Sequence, residues 1–323
     1  MTKSVVSNQS LREVFGQHLV QLAEQGQMFY VLDADVAGGT GAHHFRAWAQ
    51  ENDPTRFIQC GISEQAMMGI AAGLALANEN KVPIIVTGFA SFLLRGLEIA
   101  MLSIGYNNAN VKIFSSHVGT DVGPDGASAQ CLIDGLWRTI PGFRMYSPAD
   151  SVEMRQITDY ALSEPGPMYI RTGRGAWGDC LPEGYEFKPG RMQNVFNNSA
   201  GVILSSTAIF ATGVQVGRAI EAAKELERHN VNVSVVNVSS FNDFIASMFW
   251  VAYSTTKRLV FATEDHAPSG GLADFVRGRL PGVEVIPICV NGWGQSGESD
   301  ELAEHYEISS GAIVKRVLKV LNV

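Results

Sequence analysis

Apolar and polar positions change period repeatedly along this chain. Leu11, Val14, Phe15, His18, Leu19 and Leu22 recur at helical spacing, after which Phe29 to Leu32 is a short continuous apolar run. A run of that length suits a strand buried on both faces. It ends at Asp33-Ala34-Asp35, and a turn follows at Gly38-Gly39-Thr40-Gly41. Similar runs predict strands over residues 56–60, 82–87, 111–115, 144–146 and 168–171. Helices are predicted over 66–77 and 92–104, up to Thr139 after a Gly/Asp-rich loop at 117–129, and from Ser147-Pro148-Ala149-Asp150 onward. Strands alternating with helices predict a mostly parallel sheet covered on both faces.

From Trp177 to Ser199 the pattern dissolves into Gly, Pro, Asn and charge, which predicts a linker at 181–199. A second alternation follows, with strands at 201–205, 208–212, 231–238, 258–263 and 283–288 and helices at 214–228 and 309–321. The expected fold class is α/β: two three-layer α/β/α domains with mostly parallel sheets, over residues 1–180 and 200–323. No internal repeat is visible.

With 323 residues, 46% of them hydrophobic, the chain can bury two cores. Its 24 basic and 32 acidic residues give a net charge of −8 without a long basic run, which argues against nucleic acid or an anionic membrane as partner. No apolar run approaches the roughly 18 residues of a membrane span, and residues 1–10 are polar, so a soluble cytoplasmic protein is expected. Cys60, Cys131, Cys180 and Cys289 are scattered, with no CxxC and no paired histidine spacing. They are read as core thiols, and no metal site is expected from them.

Chemistry concentrates around Gly61-Ile62-Ser63-Glu64. From Ala66 to Ala77 no residue is charged, and a helix apolar on all sides belongs in a core or at a buried subunit contact. Glu64 opens it. Taken alone, a first-turn carboxylate is explained by the helix N-terminus, at about 0.3–1 kcal/mol. However, Asp33 and Asp35, Gly61 to Glu64, Gly88 to Phe92, and His117 to Asp125 all fall just past predicted strand ends. In open α/β sheets ligands gather at that edge.

In that order these clusters resemble the pyrimidine-binding domain of the transketolase family of thiamine diphosphate enzymes. The resemblance rests on a GI-x-E-x-x-M helix start, the pair Phe89 and Phe92, and an H…DG-x-x-x-Q loop (His117, Asp125, Gly126, Gln130). It continues through a P-A-D helix start and a Y-I-R strand, and Ala211-Thr212-Gly213 resembles the opening of the family's C-terminal domain. Transfer of a two-carbon ketol unit from a ketose to an aldose is implied. Glu64 would hydrogen-bond N1′ of the cofactor pyrimidine, a proton-sharing contact that an apolar site favours. Phe89 and Phe92 would flank the same ring, Ile62 would join the cofactor-binding set, and Asp35 would approach the thiazolium. His117 would act beside the donor sugar and, with a partner-chain histidine as alternative, take up the hydroxyl proton. Asp125 and Gln130 would contact the sugar, and Arg174 would grip an anionic group, with Arg171 as competitor.

The family binds the cofactor's diphosphate and Mg²⁺ (or Ca²⁺) through a GDG sequence followed by an asparagine. This chain has no GDG. The resemblance therefore implies the C-terminal subunit of a split transketolase: a separately encoded N-terminal subunit would carry the metal ligands, the pyrimidine-binding domain would self-associate, and the enzyme would be a heterotetramer. Three positions depart from the family, with Ala129 for a histidine, Val5 for an arginine and Gly39 for a serine. A sulfonated, branched or unphosphorylated sugar becomes conceivable, with Arg95, His43 and His44 as possible replacement contacts. A 1-deoxyxylulose-5-phosphate synthase-like chain shares the GI-x-E-Q signature but has arginine where Phe92 stands. The β subunit of a 2-oxo acid dehydrogenase lacks the DG loop as a hallmark. A non-enzymatic structural or regulatory subunit with a decayed site is the remaining alternative; Ala129 favours it, and Glu64 with the phenylalanine pair opposes it.

Overall fold

A computed structural model describes residues 9–79, 81–197, 207–241, 259–280 and 282–323. Val5 and the predicted strand at 201–205 lie outside these. Six strands form the first sheet: β1 Tyr30–Asp33, β2 Phe57–Gln59, β3 Ile84–Phe89, β4 Val111–Ser116, β5 Arg144–Tyr146 and β6 Met168–Arg171. Their order is β2-β1-β3-β4-β6-β5, with every neighbouring pair parallel. Alternate residues face opposite layers, as the strand period requires. Val31, Ile85, Phe114 and Ile170 meet the helices α1 (Leu11–Glu24), α2 (His43–Asn52) and, further on, α4 (Ser151–Ser163). Leu32, Val86, Ile113 and Tyr169 share the other layer with α3 (Glu64–Ala77). This parallel arrangement is the predicted α/β class, and it brings the carboxyl ends of β1 to β4 and β6 to one edge.

α3 is not buried all round. Met67, Met68, Ala71, Ala72 and Ala75 face the core, whereas Ile70, Leu74 and Leu76 are exposed and Gly69 and Gly73 border open space. The segment predicted as one helix at 92–104 keeps a helical path but changes hydrogen-bond register. It runs through Ala90–Leu93, a tighter turn at Leu94–Gly96, Leu97–Ile99, and a wider π turn at Ala100–Gly105. Packing is close at the tighter turn: a Cβ on Gly96 would sit 2.7 Å from Met68 Cγ and 3.2 Å from the Glu64 carbonyl oxygen. The helix expected between that loop and Thr139 is instead a stretch of 3₁₀ turns at Asp134–Thr139, and the predicted loop itself holds another at Gly123–Ser128, broken by Gly126 at φ +72°.

A second sheet holds β7 Gln193–Asn197, β8 Thr207–Ala211, β9 Val233–Asn237, β10 Leu259–Thr263 and β11 Glu284–Ile288, in the order β11-β10-β8-β9-β7. All its pairs are parallel except β7 with β9. β7 falls within the stretch predicted as linker. Its sequence QNVFN has no clean period, and only Val195 and Phe196 reach the second core. α5 (Gln215–Arg228), α6 (Leu272–Arg279), α7 (Ser299–His305) and α8 (Ser310–Leu321) cover this sheet. The two sheets are joined by a shared core that unites Trp137, Phe143 and Met145 with Phe241, Leu272 and Phe275, and Phe241 N–H donates to the Met145 carbonyl at 3.0 Å. Among the described residues no helix is long and apolar enough to cross a membrane.

Candidate active site

Two residues just past strand ends, Asp35 after β1 and His117 after β4, adopt left-handed backbone, at φ 65° and 62°. Such conformations in non-glycine residues are uncommon and cluster at functional edges. Asp35 is exposed, and its N–H donates to Gln59 Oε1 at 3.0 Å. The same oxygen accepts from Gly61 N–H at 3.1 Å, so one carboxamide holds the ends of β1 and β2 together. In the sequence, only its place directly before Cys60-Gly61 marks Gln59.

Glu64 begins α3 and is 5% exposed, whereas Ile62, two residues earlier, is 80% exposed. The Glu64 carboxylate accepts from Arg95 Nη1 at 3.3 Å, and the Arg95 guanidinium lies over Phe92, 5.2 Å from its centroid. The Arg95 side chain is 59% exposed, so this pair is worth about 0–1 kcal/mol and is easily exchanged. Phe92 lies 5.2 Å from Phe89, and Phe89 stacks on His117 at 3.7 Å. Gly39 explains why no side chain stands at its position: a Cβ there would approach the Phe89 ring to 2.4 Å. Asp35, Ile62 and Glu64 thus lie along one edge with Phe89, Phe92 and His117.

His117 is buried, and Ser116 Oγ lies 2.8 Å from its Nδ1. Burial, with the Arg12 and Arg174 guanidiniums adding, pushes the imidazole down to about 3, so it is neutral at physiological pH. Arg12, on α1, donates to the Gly39 carbonyl at 2.8 Å. Arg12 stands seven positions after Val5, where the resemblance aligns an arginine of the family, so its place in the sequence does not mark it. Arg174 donates to the Val122 carbonyl at 2.9 Å and lies 3.4 Å from Asp125; both side chains are well exposed. Arg171 is different. Its guanidinium is buried against Asp134 at 2.8 Å and Glu264 at 3.0 Å, and although burial alone would lower its pKa, these carboxylates raise it. Of the two arginines, only Arg174 is open to a ligand. Gln130 is also buried; its Nε2 donates to the Gln295 carbonyl at 2.8 Å, tying it to the second domain, while its Oε1 has no hydrogen-bond partner. His43 and His44 turn toward Glu13.

The second domain takes part in this edge through Glu264, Asp265 and His266, which follow β10. The buried Asp265 carboxylate accepts from Thr120 N–H at 2.9 and 3.0 Å, Thr120 Oγ1 at 3.0 Å and Asp121 N–H at 3.3 Å. These residues belong to the loop that begins at His117. His266 Nε2 accepts from Gly135 N–H at 3.0 Å while Nδ1 lies 2.7 Å from the Ala267 carbonyl, the pattern of an Nδ1–H tautomer. Asp121 accepts from Ser299 Oγ at 2.7 Å and Gly175 N–H at 2.7 Å. The pairs between the two domains join residues more than a hundred positions apart, which periodicity cannot show.

Comparison with known proteins adds the following. Residues 7–178 match the model of the transketolase pyrimidine-binding domain, and residues 205–313 match that of the transketolase C-terminal domain. A Methanocaldococcus jannaschii protein named "Putative transketolase C-terminal section" is 29% identical over 321 residues, spanning 97% of this chain and 96% of its own length. The Homo sapiens transketolase is 28% identical over 311 residues, which are 95% of this chain but 48% of the human protein. A solved structure titled "Split gene transketolase, inactive beta4 tetramer" superposes with a TM-score of 0.81 at 30% identity, covering 97% of this chain and 98% of that one.

Proposed function

The chain belongs to the transketolase family, and on that footing we propose that it is the C-terminal subunit of a split transketolase. It would transfer a two-carbon ketol unit from a ketose to an aldose once joined to a separately encoded N-terminal subunit. The observation that carries this reading is Glu64, a buried carboxylate opening an apolar helix beside Phe89 and Phe92. Such a carboxylate fits a protonatable ring nitrogen, and the two phenylalanines fit a flat heteroaromatic ring, so these residues suit the aminopyrimidine of thiamine diphosphate. Thiamine diphosphate, when bound, supplies the nucleophilic carbon that receives the ketol unit. Mg²⁺ or Ca²⁺ would be held with the diphosphate by the partner.

Glu64 would exchange its contact with Arg95 for the pyrimidine and fix the ring's protonation, while Ile62 and Asp35 border the same space. His117, neutral, would orient a donor oxygen and offer a lone pair to its proton; a partner-chain histidine nearer neutral pKa would be the stronger base. The Arg12 and Arg174 guanidiniums both bear on His117 electrostatically. Two guanidiniums favour a substrate ending in an anionic group, so the loss of a serine at Gly39 does not leave the anion without donors. Asp125, released from Arg174, would accept from a sugar hydroxyl. The exposed face of α3, with Ile70, Leu74 and the Gly69 and Gly73 backbone, together with Met101 and Leu102, suits self-association of the pyrimidine-binding domain. The split-gene and C-terminal-section relatives support the two-subunit arrangement.

Glu64→Gln in the reconstituted complex tests the reading. Turnover should fall at least about a hundredfold, the scale of removing one positioned acid–base group, with assembly and melting unchanged. Near-full turnover in this variant would remove Glu64 from the chemistry.

A further inference from the structure

We propose that Glu13, His43 and His44 form a binding site for a divalent transition-metal ion of the zinc type. His43 and His44 occupy the first turn of α2, and Glu13 the first turn of α1. The two imidazoles face each other with centroids 4.0 Å apart. Both present Nε2 to the same Glu13 oxygen, His44 at 2.7 Å and His43 at 3.9 Å. One ligand atom from each of the three residues lies within 4.8 Å of the other two. Zinc with ligands at about 2.0–2.1 Å in a tetrahedron places them about 3.3 Å apart. Small side-chain rotations bring the three atoms to that spacing, with His44 carrying its proton on Nδ1 once Nε2 ligates.

The backbones that carry these ligands are fixed. A Cβ on Gly16 would lie 2.0 Å from the Gly41 carbonyl oxygen, and one on Gly41 would lie 2.0 Å from the Arg12 carbonyl oxygen. α1 and the turn entering α2 therefore touch backbone to backbone, and the ligands stand on rigid elements. The side chains are 26%, 37% and 30% exposed for Glu13, His43 and His44, so an ion can enter and a water can complete its shell. Two imidazoles and one carboxylate select Zn²⁺, Co²⁺ or Ni²⁺ over Mg²⁺ and Ca²⁺, which prefer all-oxygen shells. A bound ion would cross-link α1 to α2.

The test is calorimetric titration of ZnCl₂ into the untagged, EDTA-stripped full chain, with metal content after gel filtration read by mass spectrometry. One Zn²⁺ per chain is expected. His43→Ala/His44→Ala should weaken it at least about a hundredfold and Glu13→Gln about tenfold, given that losing even a supporting contact costs 10–100-fold. Absence of binding, or equal binding by the double variant, overturns the proposal. Co²⁺ loading of the wild-type chain decides the matter even if a variant fails to fold. Visible d–d bands without a near-ultraviolet thiolate charge-transfer band support the His/Glu site, and a thiolate band assigns the ion to the cysteines and overturns it.

Discussion

Replacing Asp265 with alanine probes how the second domain holds the active-site loop. The substitution removes the acceptor for Thr120 N–H, Thr120 Oγ1 and Asp121 N–H, all of them buried. Each buried donor left unpaired costs about 1–3 kcal/mol, which sums to roughly 4–6 kcal/mol if water repairs part of the loss. Against this stands the cost of the carboxylate itself. Burial raises the Asp265 pKa, which marks its charged form as disfavoured there, and neighbouring Asp121 adds to that. The net destabilisation is about 2–4 kcal/mol. At about 2.1 cal/mol/K per residue a chain of 323 residues loses roughly 1.5 °C per kcal/mol, so melting should fall by about 3–6 °C in a calorimetric scan. Asp265→Asn keeps one acceptor oxygen and should lose about half as much. Because the loop begins at His117, hydrogen exchange at residues 118–121 should accelerate in the alanine variant. A melting change under about 1 °C, or an asparagine variant as damaged as the alanine one, would refute the argued role of this carboxylate.

Two further predictions concern the neighbouring residues. His117, at about 3 when folded against the ordinary 6.5, binds no proton where the unfolded chain does. Its contribution is therefore intact above pH 6.5 and is lost as pH falls from 6.5 toward 3, by about 2 kcal/mol on going from about pH 7.5 to pH 5. Urea melts at both values should show that much less acid sensitivity in His117→Asn, and parallel curves would contradict the assignment. Arg12→Ala in the reconstituted complex should raise KM for an anionic donor sugar about 10–100-fold, the scale of one charge-assisted hydrogen bond, with kcat changing far less. An unchanged KM would place the anionic group elsewhere.

Much of this architecture could be read from residue order alone. Leu32, Val86 and Ile113 belong to apolar runs too short for helices, and their burial between two helical layers follows from that. The edge at which Asp35, Glu64, Phe89 and His117 meet follows from their positions just past strand ends. What stayed hidden depends on contacts distant in sequence. That Gly96 packs directly over Met68 and the Glu64 backbone shows only in the folded chain. β7 has no period of its own and forms on the template of β9. Arg171 and Arg174 differ by three positions, yet one is spent on Asp134 and Glu264 and the other reaches solvent. Arg12 lies far from the other site residues in sequence, and only the packing of α1 against the Gly38-Gly39 turn brings it to His117.

The most direct measurement is calorimetric titration of thiamine diphosphate with Mg²⁺ into this chain alone and into its mixture with a subunit carrying the diphosphate-binding domain. The account predicts no binding heat alone and tight, stoichiometric binding in the mixture, lost when Glu64 is replaced by alanine. Tight binding to the lone chain, or binding in the mixture that is indifferent to Glu64, would contradict it.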